Sequence, residues 1–157
     1  MGDPVLWIDI ALFSALLGCA YSDIRARIIP NALCALVVLL GIAEAVLTDR
    51  SDYGRSIMMA LVVFVAMMPL QQKNVLGGGD VKLIAALAVW LAPLEVGRFF
   101  LFILAGGGVL GVFYLAMNWI RGAIRQKPSP ASSVPYGVAI VCGFVALHPG
   151  PFLEVLS

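Results

Sequence analysis

The stretch NVLGGGDVKLIAALAVW, residues 74–90, places three glycines and an aspartate directly before a long apolar run. Gly77, Gly78 and Gly79 precede Asp80, and Lys82 follows two residues later. A second stretch, YSDIRARIIPN at 21–31, places Asp23 at the end of another apolar segment. Ionisable groups at membrane depth are costly and tend to be functional. The two aspartates are therefore the first candidates for the chemistry of this chain.

The composition predicts an all-α integral membrane protein with a single domain over residues 1–157. The chain is 62% hydrophobic and only 12% charged, and its mean hydropathy is +1.02. Average soluble domains carry about 25% charged residues, so this chain has too few to cover a water-facing surface. Membrane lipid is an expected partner and nucleic acid is not. Cys19, Cys34 and Cys142 stand singly without a CxxC pair, so we predict neither a metal site nor a cofactor.

Breaks at charged residues, Gly and Pro divide the chain into about six apolar segments that we predict to be a bundle of transmembrane helices. A spanning helix needs about 20 mostly apolar residues. Pro30 suits the first turn of the second helix, and Pro93 marks the predicted end of the fourth. The predicted segments are 5–22, 30–47, 57–72, 80–93, 98–120 and 134–149.

The distribution of Lys and Arg predicts the orientation in the membrane, because cytoplasmic loops carry the excess of these residues. The loops after the first, third and fifth segments hold seven basic residues, namely Arg25, Arg27, Lys73, Lys82, Arg121, Arg125 and Lys127. The other loops hold three, namely Arg50, Arg55 and Arg98. This places the odd loops in the cytoplasm and both termini outside. Asp23 and Asp80 then lie on the same, cytoplasmic side.

Two carboxyls that face each other across neighbouring helices form a recognisable chemical device. Both cannot ionise easily at close range, so they share a proton and titrate in coupled steps. One then takes a proton from water and the other polarises a carbonyl, as in aspartic proteases. Asp80 at a helix N-terminus, with Lys82 nearby, is favoured as the more readily ionised partner, although the sequence leaves the acid and base roles open.

The glycines suggest a substrate-binding loop formed by Gly77, Gly78 and Gly79, with Lys82 beside it. Glycine adopts backbone angles closed to other residues and leaves room for a peptide backbone to approach. Structural interpretations remain open for each feature alone. Gly-Gly-Gly-Asp is also a flexible turn before a helix N-cap, and Asp23 is close in sequence to arginines that could form an ordinary ion pair with it.

These motifs resemble those of the type IV leader peptidases, or prepilin peptidases, which are intramembrane aspartyl proteases of the GxGD type. GGGD matches the GxGD signature, DIRARIIPN resembles the motif around the first aspartate of that family, and VPYGVAI at 134–140 extends the match. GxGD alone is a weak motif, but the three motifs in this order are specific. The short chain is most similar to the prepilin peptidases of tight-adherence (Flp) pilus systems.

The resemblance implies a bacterial inner-membrane enzyme with a catalytic pair at Asp23 and Asp80. Such enzymes remove the short basic leader of type IV pilin-like precursors at the cytoplasmic face, without a metal or another cofactor. Longer members of the family carry a zinc-binding cysteine tetrad and also N-methylate the product. This chain has no CxxC pair, so we expect a peptidase without methyltransferase activity.

Two other functions remain as alternatives. A small proton- or cation-coupled transporter could use a membrane-depth Asp pair, and it would show uptake without peptide products. A catalytically silent pilus-assembly factor would tolerate the loss of either carboxylate. The particular pilin that is cleaved and the oligomeric state are not apparent from the sequence.

Overall fold

A computed structural model of the protein describes residues 4–73, 75–125 and 136–149, without the side chains of 118 and 120–125. Within these residues the chain is helical and contains no strand. The helices are α1 (Pro4–Ala26), α2 (Asn31–Leu47), α3 (Tyr53–Gln72), α4 (Gly78–Ala88), α5 (Glu95–Arg125) and α6 (Tyr136–Leu147). The all-α prediction is confirmed, and one helix corresponds to each predicted apolar segment. The predicted loop residue Lys127 lies outside the described residues.

Three of the described helices are long and apolar enough to cross a membrane: α1, α3 and the Glu95–Met117 part of α5. The helices α2 and α6 are apolar but shorter. With a rise of about 1.5 Å per residue, the 11 residues of α4 reach only about 16 Å. The structure therefore supports an all-helical membrane protein, while six complete membrane crossings remain a prediction.

The helix α4 ends at Ala88, before the predicted boundary at residue 93. The next residues tighten into i→i−3 hydrogen bonds, such as Trp90 N to Leu87 O at 3.0 Å. The freed carbonyls are taken up by side chains from elsewhere in the chain. The Arg50 guanidinium donates to Val89 O at 2.8 Å and Trp90 O at 3.2 Å, and Ser56 Oγ donates to Leu91 O at 2.9 Å. The helix stops early because its C-terminal end is capped by these donors.

The short helix α4 lies at the centre of the packing. It contacts α2, α3 and α6, while α1 packs on α2 and α6, and α5 packs on α6. Its residues Val81, Leu83 and Leu87 are fully buried. Trp90, just beyond α4, donates its indole N–H to Val37 O on α2 at 3.0 Å. Gly41 leaves the space for this ring, because a Cβ there would lie 2.8 Å from the indole nitrogen.

Candidate active site

The last full turn of α1 carries Asp23, whose side chain is buried with only 6% exposure. Its Oδ2 accepts a hydrogen bond of 2.7 Å from the backbone N–H of Gly137, in the first turn of α6. A Cβ at Gly137 would lie 2.8 Å from the same oxygen. The approach of α6 to the carboxylate therefore requires glycine, and the bond stabilises a negative charge on Asp23.

The first turn of α4 carries Asp80, one turn after the N-cap residue Gly77. Asp80 Oδ2 accepts the Gly77 backbone N–H at 3.2 Å, which satisfies one of the free donors at the helix start. Gly79 packs against the connection between α1 and α2, where a Cβ would lie 2.9 Å from Ile29 Cβ. This close approach brings the start of α4, and with it Asp80, next to the end of α1.

The predicted reason for the glycine run needs a correction. None of the described glycines has a positive φ, and the N-cap Gly77 has φ −66° and ψ 145°, an extended conformation open to any residue. Gly78 and Gly79 already belong to α4. What the run supplies is space, since Cβ atoms at Gly78 and Gly79 would collide with Gln71 and Ile29 respectively.

Asp23 and Asp80 line one cavity of ≈ 210 Å³. The other lining residues are Arg27, Ile28, Ile29, Gly77, Gly78 and Gly79. The structure thus brings together both predicted carboxyls and all three predicted glycines, although the two stretches are distant in the sequence. The cavity is half-open, and a short extended peptide could enter it.

The ionisation of Asp80 depends on its burial and on the neighbouring Asp23. Asp80 lies outside the three helices long enough to cross the membrane. Burial, followed by the negative charge of Asp23, raises the pKa of Asp80 to about 6, against the opposing effect of the Gly77 N–H bond. The effects of burial and of the Asp23 charge on the pKa of Asp80 therefore exceed the opposing effect of the helix N-terminus. Asp80 is not the readily ionised partner that its position suggested. The arrangement favours a proton on Asp80 when Asp23 is charged.

Two of the basic residues predicted near the site, Lys82 and Arg25, make contacts outside the cavity, and a third, Arg27, lines it. Lys82 does not line the cavity of the two carboxyls, and its Nζ donates to Asn31 Oδ1 at 2.8 Å. Arg25 donates to the Tyr21 hydroxyl at 2.7 Å, and its guanidinium lies 5.9 Å from the centre of that ring. Arg27 does line the cavity.

Two features of the site were not predicted from the sequence. Gly137 was seen only as part of VPYGVAI, and no local pattern showed that its N–H would meet Asp23. The connection between α1 and α2 also forms one wall of the cavity. Arg27 there has φ 55°, a left-handed conformation that ends α1, and Ser22 Oγ donates to Ile28 O at 2.6 Å. These contacts hold the connection where Gly79 packs.

The described residues contain no group of three His, Cys, Asp or Glu side chains close enough to hold a metal ion. Cys19 and Cys34 are buried and Cys142 is exposed. The chemistry available from the described residues of the cavity is acid–base chemistry by two carboxyls.

Comparison with known families identifies the class of the protein. The family model of the type IV leader peptidase family matches residues 10–116, which include both aspartates. The match covers more than half of the chain, and the protein therefore belongs to this family. No curated protein and no solved structure matches the chain. The family assignment makes the protein a leader-peptidase-type protease, and the long apolar helices agree with a location in a membrane.

Proposed function

We propose that the protein is an aspartyl endopeptidase that removes the short basic leader of type IV pilin-like precursors, of the Flp type, at the cytoplasmic face of the bacterial inner membrane. The observation that carries the proposal is the meeting of Asp23 and Asp80 in one half-open cavity. Asp80 also caps the start of α4, but helix capping does not explain why Asp23 from a separate stretch meets it. Their convergence from two separate stretches provides the paired acid and base that peptide hydrolysis needs.

The mechanism assigns a role to each carboxyl. The Asp23 carboxylate takes a proton from a water molecule, whose oxygen attacks the scissile carbonyl carbon, while protonated Asp80 donates its proton to the carbonyl oxygen. Collapse of the resulting diol returns a proton from its hydroxyl to the now ionised Asp80. Asp23 gives its proton to the leaving nitrogen as the C–N bond breaks. The Gly137 N–H bond to Asp23 supports this assignment, as does the raised pKa of Asp80.

The proposal extends to the products and the topology. The chain has no CxxC pair, so we expect the trimmed pilin to be released without an added methyl group. The predicted excess of basic residues on the cytoplasmic side suits binding to anionic lipid and supports a cavity at that face. A precursor whose apolar helix lies in the membrane would present its leader junction at this depth.

The test is co-expression of the protein with a candidate pilin precursor, followed by mass spectrometry of the precursor. Asp23→Asn and Asp80→Asn are each expected to reduce cleavage by at least about 100-fold, because each removes one partner of acid–base catalysis. Asp52→Asn is the matched control, since the exposed Asp52 pairs with Arg55 at 2.9 Å on the surface. It should cleave normally.

Three results would contradict the proposal. Cleavage that persists in both site variants would make the two aspartates structural. Carboxylate-dependent ion uptake without peptide products would favour a transporter. Failure of the wild-type protein to trim any pilin-like precursor encoded in the same genome would favour a silent assembly factor.

A further inference from the structure

A second cavity lies beside the first turns of α4 and opens between α2 and α3. Its volume is ≈ 460 Å³. We call it the α2–α3 groove. Its walls include Ala35, Val38 and Ile42 from α2 and Ile57, Leu61 and Phe64 from α3, and its floor is formed by α4. The groove is therefore an apolar opening in the helical surface between α2 and α3.

The dimensions and side chains of the α2–α3 groove suit an apolar helix. The α2 wall extends over 12 residues, from Asn31 to Ile42, which corresponds to about 16 Å, or three helical turns. Ala35, Ala60 and Ala85 keep the walls and floor shallow, and small residues of this kind let helix backbones approach closely in membranes.

The groove lies next to the candidate active site. Ile29 and Asp80 line the cavity of the two carboxyls, while Asn31 and Lys82, each two residues further along the chain, line the end of the groove. The contact between Gly79 and Ile29 separates the two spaces. A peptide that leaves the groove in an extended conformation at this end therefore has only a few residues to cross before it reaches Asp80.

The end of the groove nearest the site carries the one charged side chain of its lining. The Lys82 ammonium donates to the neutral Asn31 amide at 2.8 Å. An ammonium group can form three hydrogen bonds, so Lys82 retains donors for a carbonyl or carboxylate oxygen of an occupant. The groove thus combines an apolar body with a polar end, and the residues of the polar end are two positions along the chain from residues that line the cavity of the two carboxyls.

We propose that the α2–α3 groove binds the apolar helix of the precursor and holds its leader junction at the two carboxyls. The inference rests on the proposed function and adds the surface by which the substrate is positioned. Affinity comes from burial of the substrate helix against α2, α3 and α4. Lys82 sets the register of the substrate helix. A substrate helix that extended one turn past the polar end would no longer place an acceptor oxygen at the Lys82 ammonium.

The first experiment is site-specific photo-crosslinking in the Asp80→Asn protein, which leaves the precursor uncut. A photoreactive residue replaces Ala35 inside the groove or, as the matched control, Leu39 on the same helix. Leu39 is 63% exposed and does not line the groove. We expect a protein–precursor adduct from position 35, mapped by mass spectrometry to the apolar segment of the precursor, and at most a trace from position 39.

The second experiment measures cleavage kinetics of Ala35→Phe and Leu39→Phe in the otherwise wild-type protein. Ala35 is exposed within the groove, so a phenyl ring there fills the groove without entering the core. We expect Ala35→Phe to raise KM and to lower kcat/KM by about tenfold, as loss of substrate binding requires. Leu39→Phe should behave as the wild type.

The outcomes separate this inference from the proposed function. If the wild type trims the precursor but position 35 crosslinks only to lipid, or to a second copy of this chain, the groove has another occupant and the inference is wrong. Equal crosslinking from positions 35 and 39, or normal kinetics of Ala35→Phe, would also overturn it. If the wild type trims no precursor, the proposed function itself fails.

Discussion

Asp23 depends on backbone donors in the first turn of α6, Gly137 and Val138, from the far end of the sequence. The backbone nitrogen of Gly137 lies 2.7 Å from Asp23 Oδ2. Gly137 has no side chain that would separate these two atoms. Charge-assisted bonds of this length are among the stronger hydrogen bonds in proteins. The orientation of Asp23 toward the cavity is therefore determined by how closely α6 approaches α1.

Gly137→Ala is expected to abolish most cleavage while the protein remains folded. The added methyl would lie 2.8 Å from Asp23 Oδ2 and 2.9 Å from its Cγ, so the carboxyl must rotate away and lose the N–H bond. Initial rates of leader removal test this, with the folded fraction followed by gel filtration. Gly108→Ala in α5 is the matched control, because a Cβ there meets nothing within 4 Å. Equal rates for the two variants would contradict the role of Gly137.

The pH dependence of cleavage should report the proton on Asp80. Its pKa is raised to about 6, so the carboxyl is protonated below that pH and loses its proton above it. If Asp80 is the acid, kcat/KM should fall with rising pH above about 6, approaching tenfold per unit. Steady-state rates in buffered proteoliposomes measure this, with a fold check at each pH. A rate that rises steadily across the same range would reverse the assigned roles.

At the scale of the helices, the short α4 determines the geometry of the site. Its N-terminal turn presents Asp80, and its C-terminal end stops inside the protein. Arg50 and Ser56 bind the carbonyls of Val89, Trp90 and Leu91 there. Without such partners, buried carbonyls would remain unsatisfied at considerable free-energy cost. Both ends of α4 are thus held by residues from other helices or loops, and its position along its own axis is constrained.

Ser56→Ala should lower the free energy of unfolding by about 1–3 kcal/mol, the usual cost of leaving a buried acceptor unpaired. Ser56 is 1% exposed and donates to Leu91 O. Denaturant unfolding in detergent micelles measures the change. Ser14→Ala is the matched control, since the exposed Ser14 donates within its own helix to Ile10 O, and it should change stability by less than about 0.5 kcal/mol. Similar losses in both variants would contradict the capping role.

The helices were predictable to different degrees. Runs of apolar residues between charges located all six, because helix formation in an apolar segment depends on neighbours along the chain. The end of α4 was not predictable. The segment after Ala88 is as apolar as the helix itself, and it leaves the helix because Arg50 and Ser56 supply donors from another part of the fold.

In the whole molecule, α4 separates two cavities that differ in character. One is small and holds the two carboxyls, and the other is larger and mostly apolar. Lys82, first assigned to the substrate loop, lines the second cavity and binds Asn31. The proposed hydrolytic site and the proposed helix-binding groove therefore lie on either side of one contact, between Gly79 and Ile29.

The orientation in the membrane is tested by cysteine labelling of intact cells in a Cys142→Ala background. Cys19 and Cys34 are buried, so they should remain unlabelled. The distribution of basic residues predicts that Ser51→Cys, between α2 and α3, reacts with an impermeant reagent from outside. Lys73→Cys, at the end of α3, should react only after permeabilisation. The opposite pattern would place the two carboxyls on the outer face.

The sequence alone determined the membrane class, the six apolar segments, the two aspartates and the family resemblance, because these depend on composition and on short motifs. Only the tertiary structure decided that Gly137 binds Asp23, that Gly79 packs on Ile29, and that burial and the Asp23 charge raise the pKa of Asp80. The structure also shows that Lys82 lines the α2–α3 groove and not the cavity of the two carboxyls. Each of these features depends on contacts between residues distant along the chain, and such contacts cannot be predicted from local sequence patterns.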